Sequence, residues 1–348
     1  YRLSVRIGQG GMGEVWQATD EAHGSKKVAV KMMPEHLDAT DRRRFEREVR
    51  VLREVHHPHV VPLLDLGWHG DSLFYVMEYV GPFTLEDVIL AHPEGIPEEA
   101  RPWLFQRAIE ILEALQHLHG QRLVHRDVKP ANILIRCPKG NPQEAQQLLE
   151  ENSNRALLAD LGLVARADLH SALTQSALGT PQYMAPERIE SPLAIDERSD
   201  LWSVGILLYR GLTGRFPFPR LSDALSRKPA APITGLTEPL SAVIQSLLQF
   251  EPHRRPADAV LARTLLLDAI EGHQLSTADQ PVMRRNSPTF VGRKTELETL
   301  KNCAARSARG NGSWVHLEGD EGLGKSWLLR NEKAEAFVAS CFIGVGSG

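Results

Sequence analysis

Cysteine is scarce. The three in 348 residues, Cys137, Cys303 and Cys341, are too few and too scattered for a disulfide framework or a zinc knuckle. A reducing, intracellular compartment and a cytoplasmic location are therefore expected. An excess of one charge is also lacking: 40 Lys and Arg stand against 44 Asp and Glu, a net −4. That leaves no electrostatic case for binding nucleic acid or a membrane surface. No apolar run reaches the roughly 20 residues of a membrane span, and no signal peptide precedes Tyr1. An initiator Met is missing too, so the chain reads as a piece of a longer protein, and the lack of an anchor says little about the parent.

What is present is the composition of a soluble globular protein, 42% apolar and 24% charged. The length exceeds what one ordinary core fills, so two domains or one large bilobal unit are expected.

The chain is organised around His125-Arg126-Asp127-Val128-Lys129-Pro130-Ala131-Asn132. Pro130 and the β-rich run Asn132-Ile133-Leu134-Ile135 place this stretch in a loop that feeds a strand. An aspartate, a lysine and an asparagine so close together suit phosphoryl transfer. The first can orient an acceptor hydroxyl, the second can balance charge on the moving phosphate, and the third can hold a divalent cation. The stretch resembles the catalytic loop of the protein kinases, and Lys129, two places after Asp127, is similar to the serine/threonine branch. That resemblance implies an α+β fold with a β-rich N-lobe over 1–80 and a helical C-lobe over 81–270. It also implies Mg-ATP as phosphate donor, with Mn2+ admitted in place of Mg2+, protein substrates carrying Ser or Thr acceptors, and a homodimer as one route to autophosphorylation.

Ile7-Gly8-Gln9-Gly10-Gly11-Met12-Gly13-Glu14-Val15 is a glycine-rich turn, by itself a weak signal shared with dinucleotide-binding folds. Those folds need a helix next. Here Val15 to Thr19 and Lys27 to Met32 read as two strands around a turn at His23-Gly24-Ser25, which favours a hairpin lying over phosphates. Alternation puts Ala29 and Lys31 on one face, and a buried ammonium there requires a carboxylate. In the helical pattern from Asp41 to Val55, Glu48 shares the inward stripe with Phe45 and Leu52, so Lys31 and Glu48 are expected to pair. By resemblance that pair orients the α- and β-phosphates of ATP. His56, His57 and His59 invite a metal reading, but no acidic or cysteine ligands cluster beside them, and they occupy the family's His-Pro turn. Leu73 to Val80 reads as a buried strand running into a connector. The resemblance makes this the inter-lobe hinge, with Met77 guarding the adenine pocket, the backbone of Glu78 to Val80 reading the base edge, and Ile7, Val15, Ala29 and Leu134 enclosing the ring.

A long helix is expected from Pro97 to Gly120, with Leu104, Ala108, Ile111, Leu112, Leu115 and Leu118 as its core stripe and His117 and His119 structural in its last turn. After Asn132, the polar run from Cys137 to Asn154 is an insertion, and Gln143 to Glu150 within it reads as a short amphipathic helix. Asp160, in Ala159-Asp160-Leu161-Gly162, matches the family's second metal-binding residue alongside Asn132. Residues 164–180 are rich in hydroxyls and resemble an activation segment. There a phosphate on Thr174 or Ser176 would pair with Arg126, while by the same resemblance Thr180 would bridge Asp127 and Lys129. Glu187, in Ala185-Pro186-Glu187, is expected to meet Arg255, and Asp200 to hold the catalytic loop backbone.

Residues 271–288 are polar and aperiodic and read as a linker. Beyond them, Gly319-Asp320-Glu321-Gly322-Leu323-Gly324-Lys325-Ser326 reads as a phosphate-binding loop, with Lys325 reaching terminal phosphates and the Ser326 hydroxyl taking magnesium. The segment 289–348 resembles the start of a P-loop ATPase module. It stops before an acidic strand that would complete the metal site, so little nucleotide binding and no hydrolysis are expected from it. Two other functions fit these motifs less well: a catalytically silent kinase-like scaffold, disfavoured because every catalytic position is filled, and an ATPase that the kinase regulates.

Overall fold

A computed structural model of the chain describes residues 1–10, 13–33, 52–70, 72–140, 142–160, 181–190, 197–225 and 227–272. The first hairpin forms as its glycines suggest. Strand β1 (Arg2–Gly10) pairs antiparallel with β2 (Gly13–Asp20), Gly10 opposite Gly13. Gly13 has φ +111°, and a Cβ there would lie 1.9 Å from the Met32 carbonyl oxygen, so no other residue fits. Strands β3 (Lys26–Met32), β4 (Leu63–His69) and β5 (Ser72–Glu78) complete a five-stranded antiparallel sheet ordered β1-β2-β3-β5-β4. Because β3 lies between β2 and β5, Val28 to Lys31 are buried without alternation, which brings an ammonium into the interior.

The second lobe is helical. Helix α1 (Leu85–Ala91) starts at a capping box, in which the Thr84 hydroxyl accepts from the Asp87 N–H and the Asp87 carboxylate accepts from the Thr84 N–H. Helix α2 (Arg101–Gly120) buries the whole expected stripe, together with Trp103, Phe105 and Ile109 on other faces. It begins later than the sequence suggests. Glu98–Ala100 form a 3₁₀ turn, because an α-helix running through this point would need an N–H from Pro102 to reach the Glu98 carbonyl, and proline has none.

Strands β6 (Ile133–Arg136) and β7 (Arg155–Leu158) form a two-stranded sheet. The insertion between them is not the amphipathic α-helix expected. Ala145–Glu150 wind as a 3₁₀ helix against α1, with Leu148 fully buried in the main core. The Asn154 amide donates to the Leu148 carbonyl at 3.2 Å, and the Gln147 side chain accepts the Gln143 N–H at 3.1 Å. These side-chain bonds hold a turn too short for α-helical nucleation.

Helices α3 (Pro186–Glu190), α4 (Arg198–Thr213), α5 (Leu221–Leu225), α6 (Glu238–Leu247) and α7 (Ala259–Glu271) follow. Gly214 and Gly272 end α4 and α7 in the left-handed conformation. Helix α4 is buried almost throughout, and Asp200 in its first turn is 1% exposed. Among the described residues no helix is long and apolar enough to cross a membrane. The chain divides into two compact units, Tyr1–Leu275 and Ser276–Gly348. Glu48, Leu161, Thr174, Ser176 and Thr180 lie outside the described residues, as do the linker from 273 onward and Gly319, Gly324, Lys325 and Ser326.

Candidate active site

The loop 121–132 is fastened from below by Asp200. Its Oδ1 accepts the Arg126 N–H at 2.7 Å, and its Oδ2 accepts the His125 N–H at 2.9 Å and the His119 Nε2–H at 2.8 Å. Burial would raise the Asp200 pKa, but these donors, His119 foremost, hold its carboxyl below the usual range. His125 is a strut. Its Nδ1 accepts the Asp127 N–H at 3.3 Å, so its Nε2 carries the proton and donates to the Ala159 carbonyl at 3.0 Å. Arg126 takes φ +71°, left-handed backbone that turns the chain and leaves the Asp127 carboxylate facing Lys129 and Asn132.

Among the described residues, Asp127 is held through one carboxylate oxygen. Its Oδ2 accepts from Lys129 Nζ at 2.7 Å and from Asn132 Nδ2 at 2.8 Å, and its backbone carbonyl takes a further bond from Asn132 Nδ2 at 2.9 Å. Both of these side-chain bonds use Oδ2 and neither uses the second carboxylate oxygen. With both amide protons of Asn132 turned to Asp127, its Oδ1 points the other way.

Asp160 follows β7 at φ +63° and meets Lys31 from the other lobe. Lys31 is 5% exposed, and its ammonium is bonded to Asp160 Oδ1. The same oxygen accepts the Tyr75 hydroxyl at 3.2 Å. Burial pushes the Asp160 carboxyl up, but Lys31 foremost, with His125 and Lys129, holds it below the ordinary carboxylate range. Burial and then Asp160 push the Tyr75 phenol well above its usual value. A carboxylate oxygen from Asp160 and an amide oxygen from Asn132 are hard donors. Such a pair fits Mg2+, which binds through few protein oxygens and otherwise keeps water and phosphate.

The residues expected to enclose a nucleobase lie on or beside β1, β2, β3, β5 and β6. Val15 lies opposite Lys31 across β2 and β3, and Ala29 opposite Met77 across β3 and β5. Gly8 pairs with Val15, Ile7 is exposed on β1, and Met77, Val80 and Leu134 pack around Val61, Leu157 and Ala159. The Glu78 N–H is donated to the Pro62 carbonyl at 3.1 Å, and the Glu78 side chain pairs with Arg136 at 2.7 Å. Tyr75 was missed in the sequence, although a tyrosine in a buried strand needs an acceptor for its hydroxyl. His119 is structural as expected, and the partner that the sequence did not name is Asp200. Glu187 and Arg255 meet as expected.

Comparison with known proteins follows the same geometry. The family model described as protein kinase domain matches residues 1–266. The chain is 36% identical over 276 residues to serine/threonine-protein kinase pkn2 of Myxococcus xanthus, covering 74% of this chain and 31% of that one. It is 37% identical to the DNA damage-responsive serine/threonine-protein kinase RqkA of Deinococcus radiodurans over 64% of this chain and 31% of that one. Against PknB of Mycobacterium tuberculosis the identity is 34%, over 78% and 43%. The chain thus spans less than half the length of these relatives. Among solved structures, the kinase domain of Mycobacterium tuberculosis PknI superposes with a TM-score of 0.58 at 22% identity, over 77% of this chain and 94% of that one, a likeness of fold.

Proposed function

Because the chain belongs to the protein kinase family, we propose that it transfers the γ-phosphate of Mg-ATP to serine and threonine hydroxyls of proteins. The observation that carries this reading is the junction of Lys31 with Asp160, 129 positions apart, beside a loop in which Asp127, Lys129 and Asn132 are bonded into one cluster. Asp127 orients the acceptor hydroxyl through the oxygen that Lys129 leaves free. Lys129 offsets charge as the phosphoryl group moves, and Lys31, with Glu48 as partner, steadies the α- and β-phosphates. Asn132 and Asp160 would hold the Mg2+, which would supply positive charge against that of the phosphate.

The test is transfer of labelled γ-phosphate to a basic protein substrate, with and without Mg2+, by the whole chain and by Asp127→Asn. Losing an oriented base of this kind costs roughly 10²- to 10⁴-fold. Labelling by Asp127→Asn at the wild-type rate would overturn the assignment. Phosphopeptide mapping of the same reaction reads the activation segment. The reading places phosphate on Thr174 or Ser176, paired with Arg126, and full activity in a Thr174→Ala, Ser176→Ala variant would count against it.

The segment 289–348 is read as the start of a P-loop ATPase module on its motif alone. Its contribution to nucleotide binding is small, so Lys325→Ala in the whole chain leaves ATP affinity and phosphate transfer unchanged. Cytoplasmic location and a homodimer for autophosphorylation belong to the same reading.

A further inference from the structure

We propose that Tyr75 is a positioning residue for the metal: its hydroxyl anchors one oxygen of Asp160 so that the other faces the cation whether or not Lys31 is in contact with that carboxylate. This rests on the reading of Asp160 as a metal ligand. Three observations lead to it. Tyr75 is the cross-strand partner of Lys31, it is 4% exposed, and its hydroxyl donates to the same Oδ1 that the Lys31 ammonium occupies. The ammonium also lies 5.9 Å from the centre of the phenol ring, within cation–π range.

The two donors differ in what else they can do. Lys31 sits on a long flexible stem, and its charge suits the phosphates of ATP as well as it suits Asp160. An ammonium drawn to phosphate leaves Oδ1 short of a partner. Among the described residues Tyr75 has no such second partner for its hydroxyl. It stands on β5, hydrogen-bonded on one side to β3 and on the other to β4, and packs with Met33 and Leu73. Two side-chain torsions fix where its hydroxyl lies. Asp160 needs such an anchor, because its backbone is in the left-handed region at φ +63°, where a residue with a Cβ is strained and contacts must hold it in place. A hydrogen bond to the far oxygen of a ligating carboxylate sets the direction of the near one.

The test uses the whole chain and a fluorescent ADP, titrated first in excess chelator and then across a Mg2+ series. Tyr75→Phe keeps the ring and removes only the hydroxyl. The expected result is unchanged nucleotide affinity without metal and an increase of about tenfold in the Mg2+ concentration giving half of the metal-dependent gain. The unliganded melting temperature should stay close to wild type. Tyr75→Leu, which also removes the ring, should show the same Mg2+ shift. A Tyr75→Phe titration that overlays wild type overturns the proposal, and so does a shift seen in Tyr75→Leu alone, which would make the residue a packing element. Asp160→Asn separates the two levels. It should abolish the metal-dependent gain, and if it does not, the metal-ligand reading itself falls and takes the proposal with it.

Discussion

Arg255 closes a two-pronged ion pair on Glu187, Nη1 to Oε1 at 2.7 Å and Nη2 to Oε2 at 2.8 Å. Arg255 is 3% exposed and also donates to the carbonyls of Arg198, Gln249 and Phe250. It therefore ties α3, α4 and the turn after α6 to one guanidinium. Burial pushes the Glu187 carboxyl up, and Arg255 foremost, joined by the Ser199 hydroxyl and a backbone N–H, more than reverses that.

Arg255→Leu should consequently do more than remove one contact. The Glu187 carboxylate would remain in the interior without a counter-charge, a change that costs about 3–5 kcal/mol. Urea unfolding of wild type and variant measures it, and a Glu187→Leu, Arg255→Leu double variant should be less destabilised than the sum of the single ones. Glu187 has a folded pKa below its ordinary 4.5, so its contribution is present above pH 4.5 and is lost as pH falls below that value.

Asp200 separates folding from catalysis. In Asp200→Asn one carboxylate oxygen becomes an NH2 that cannot accept from the Arg126 or His125 N–H, while α4 keeps its packing. Stability should drop by about 1–3 kcal/mol for the buried N–H left unpaired. Misplacing Asp127 by the resulting shift should lower kcat by about 100-fold. ATP affinity, measured separately, should stay near wild type. A kcat loss no larger than the loss in folded fraction would show that Asp200 acts on stability alone.

How much of this could be read beforehand differs by type of feature. The loop 125–132, Asp160, Lys31 and the α2 stripe were legible because each depends on local order: a motif, a strand run or a helical period. The Glu187 and Arg255 junction was legible only through family resemblance, since nothing local joins residues 68 apart. Tyr75 and His119 were not assigned their partners, because those partners come from strand register and helix packing. The start of α2 was misread because Pro97, Glu98 and Glu99 imitate a first turn, while Pro102 four residues on prevents the α-helical bond that turn needs. The insertion was misread because its pattern suits an amphipathic helix, and only the core contact of Leu148 shows how it is held.

Histidine gives a pH prediction. The His57 ring stacks on His117 with centroids 5.1 Å apart, and His59 lies 5.7 Å away. Burial foremost, then His117 and His59, lower the His57 pKa from its usual 6.5, against a smaller opposing pull from Glu113. The unfolded chain then takes up a proton more readily than the folded one as pH falls through 6.5, and stability declines in that direction. His57→Gln removes this term. Thermal midpoints of the variant should fall less steeply than those of wild type between roughly pH 7 and pH 5. Parallel curves would show that the cluster does not titrate with unfolding.

The insertion gives a prediction opposite in sense to its sequence. A polar surface loop should tolerate change at little cost, but Leu148 is 0% exposed and belongs to the main core together with Leu85 and Val88 of α1. Asn154 holds the Leu148 carbonyl at 3.2 Å, and the strand that follows is fixed where the Ala156 N–H meets Glu110 Oε2 at 2.7 Å. Leu148→Ala should therefore cost about 2–5 kcal/mol, as for other buried leucines. Substitutions at the exposed Gln146 or Glu150 should change stability by no more than about 0.5 kcal/mol. Chemical unfolding of the three variants distinguishes a docked segment from a loose one. The effect of Leu148→Ala should extend to proteolysis of the loop, because a cavity under the 3₁₀ turn removes the apolar contact that keeps its backbone against α1. Equal, small effects at all three positions would mean that the insertion contributes nothing to the core.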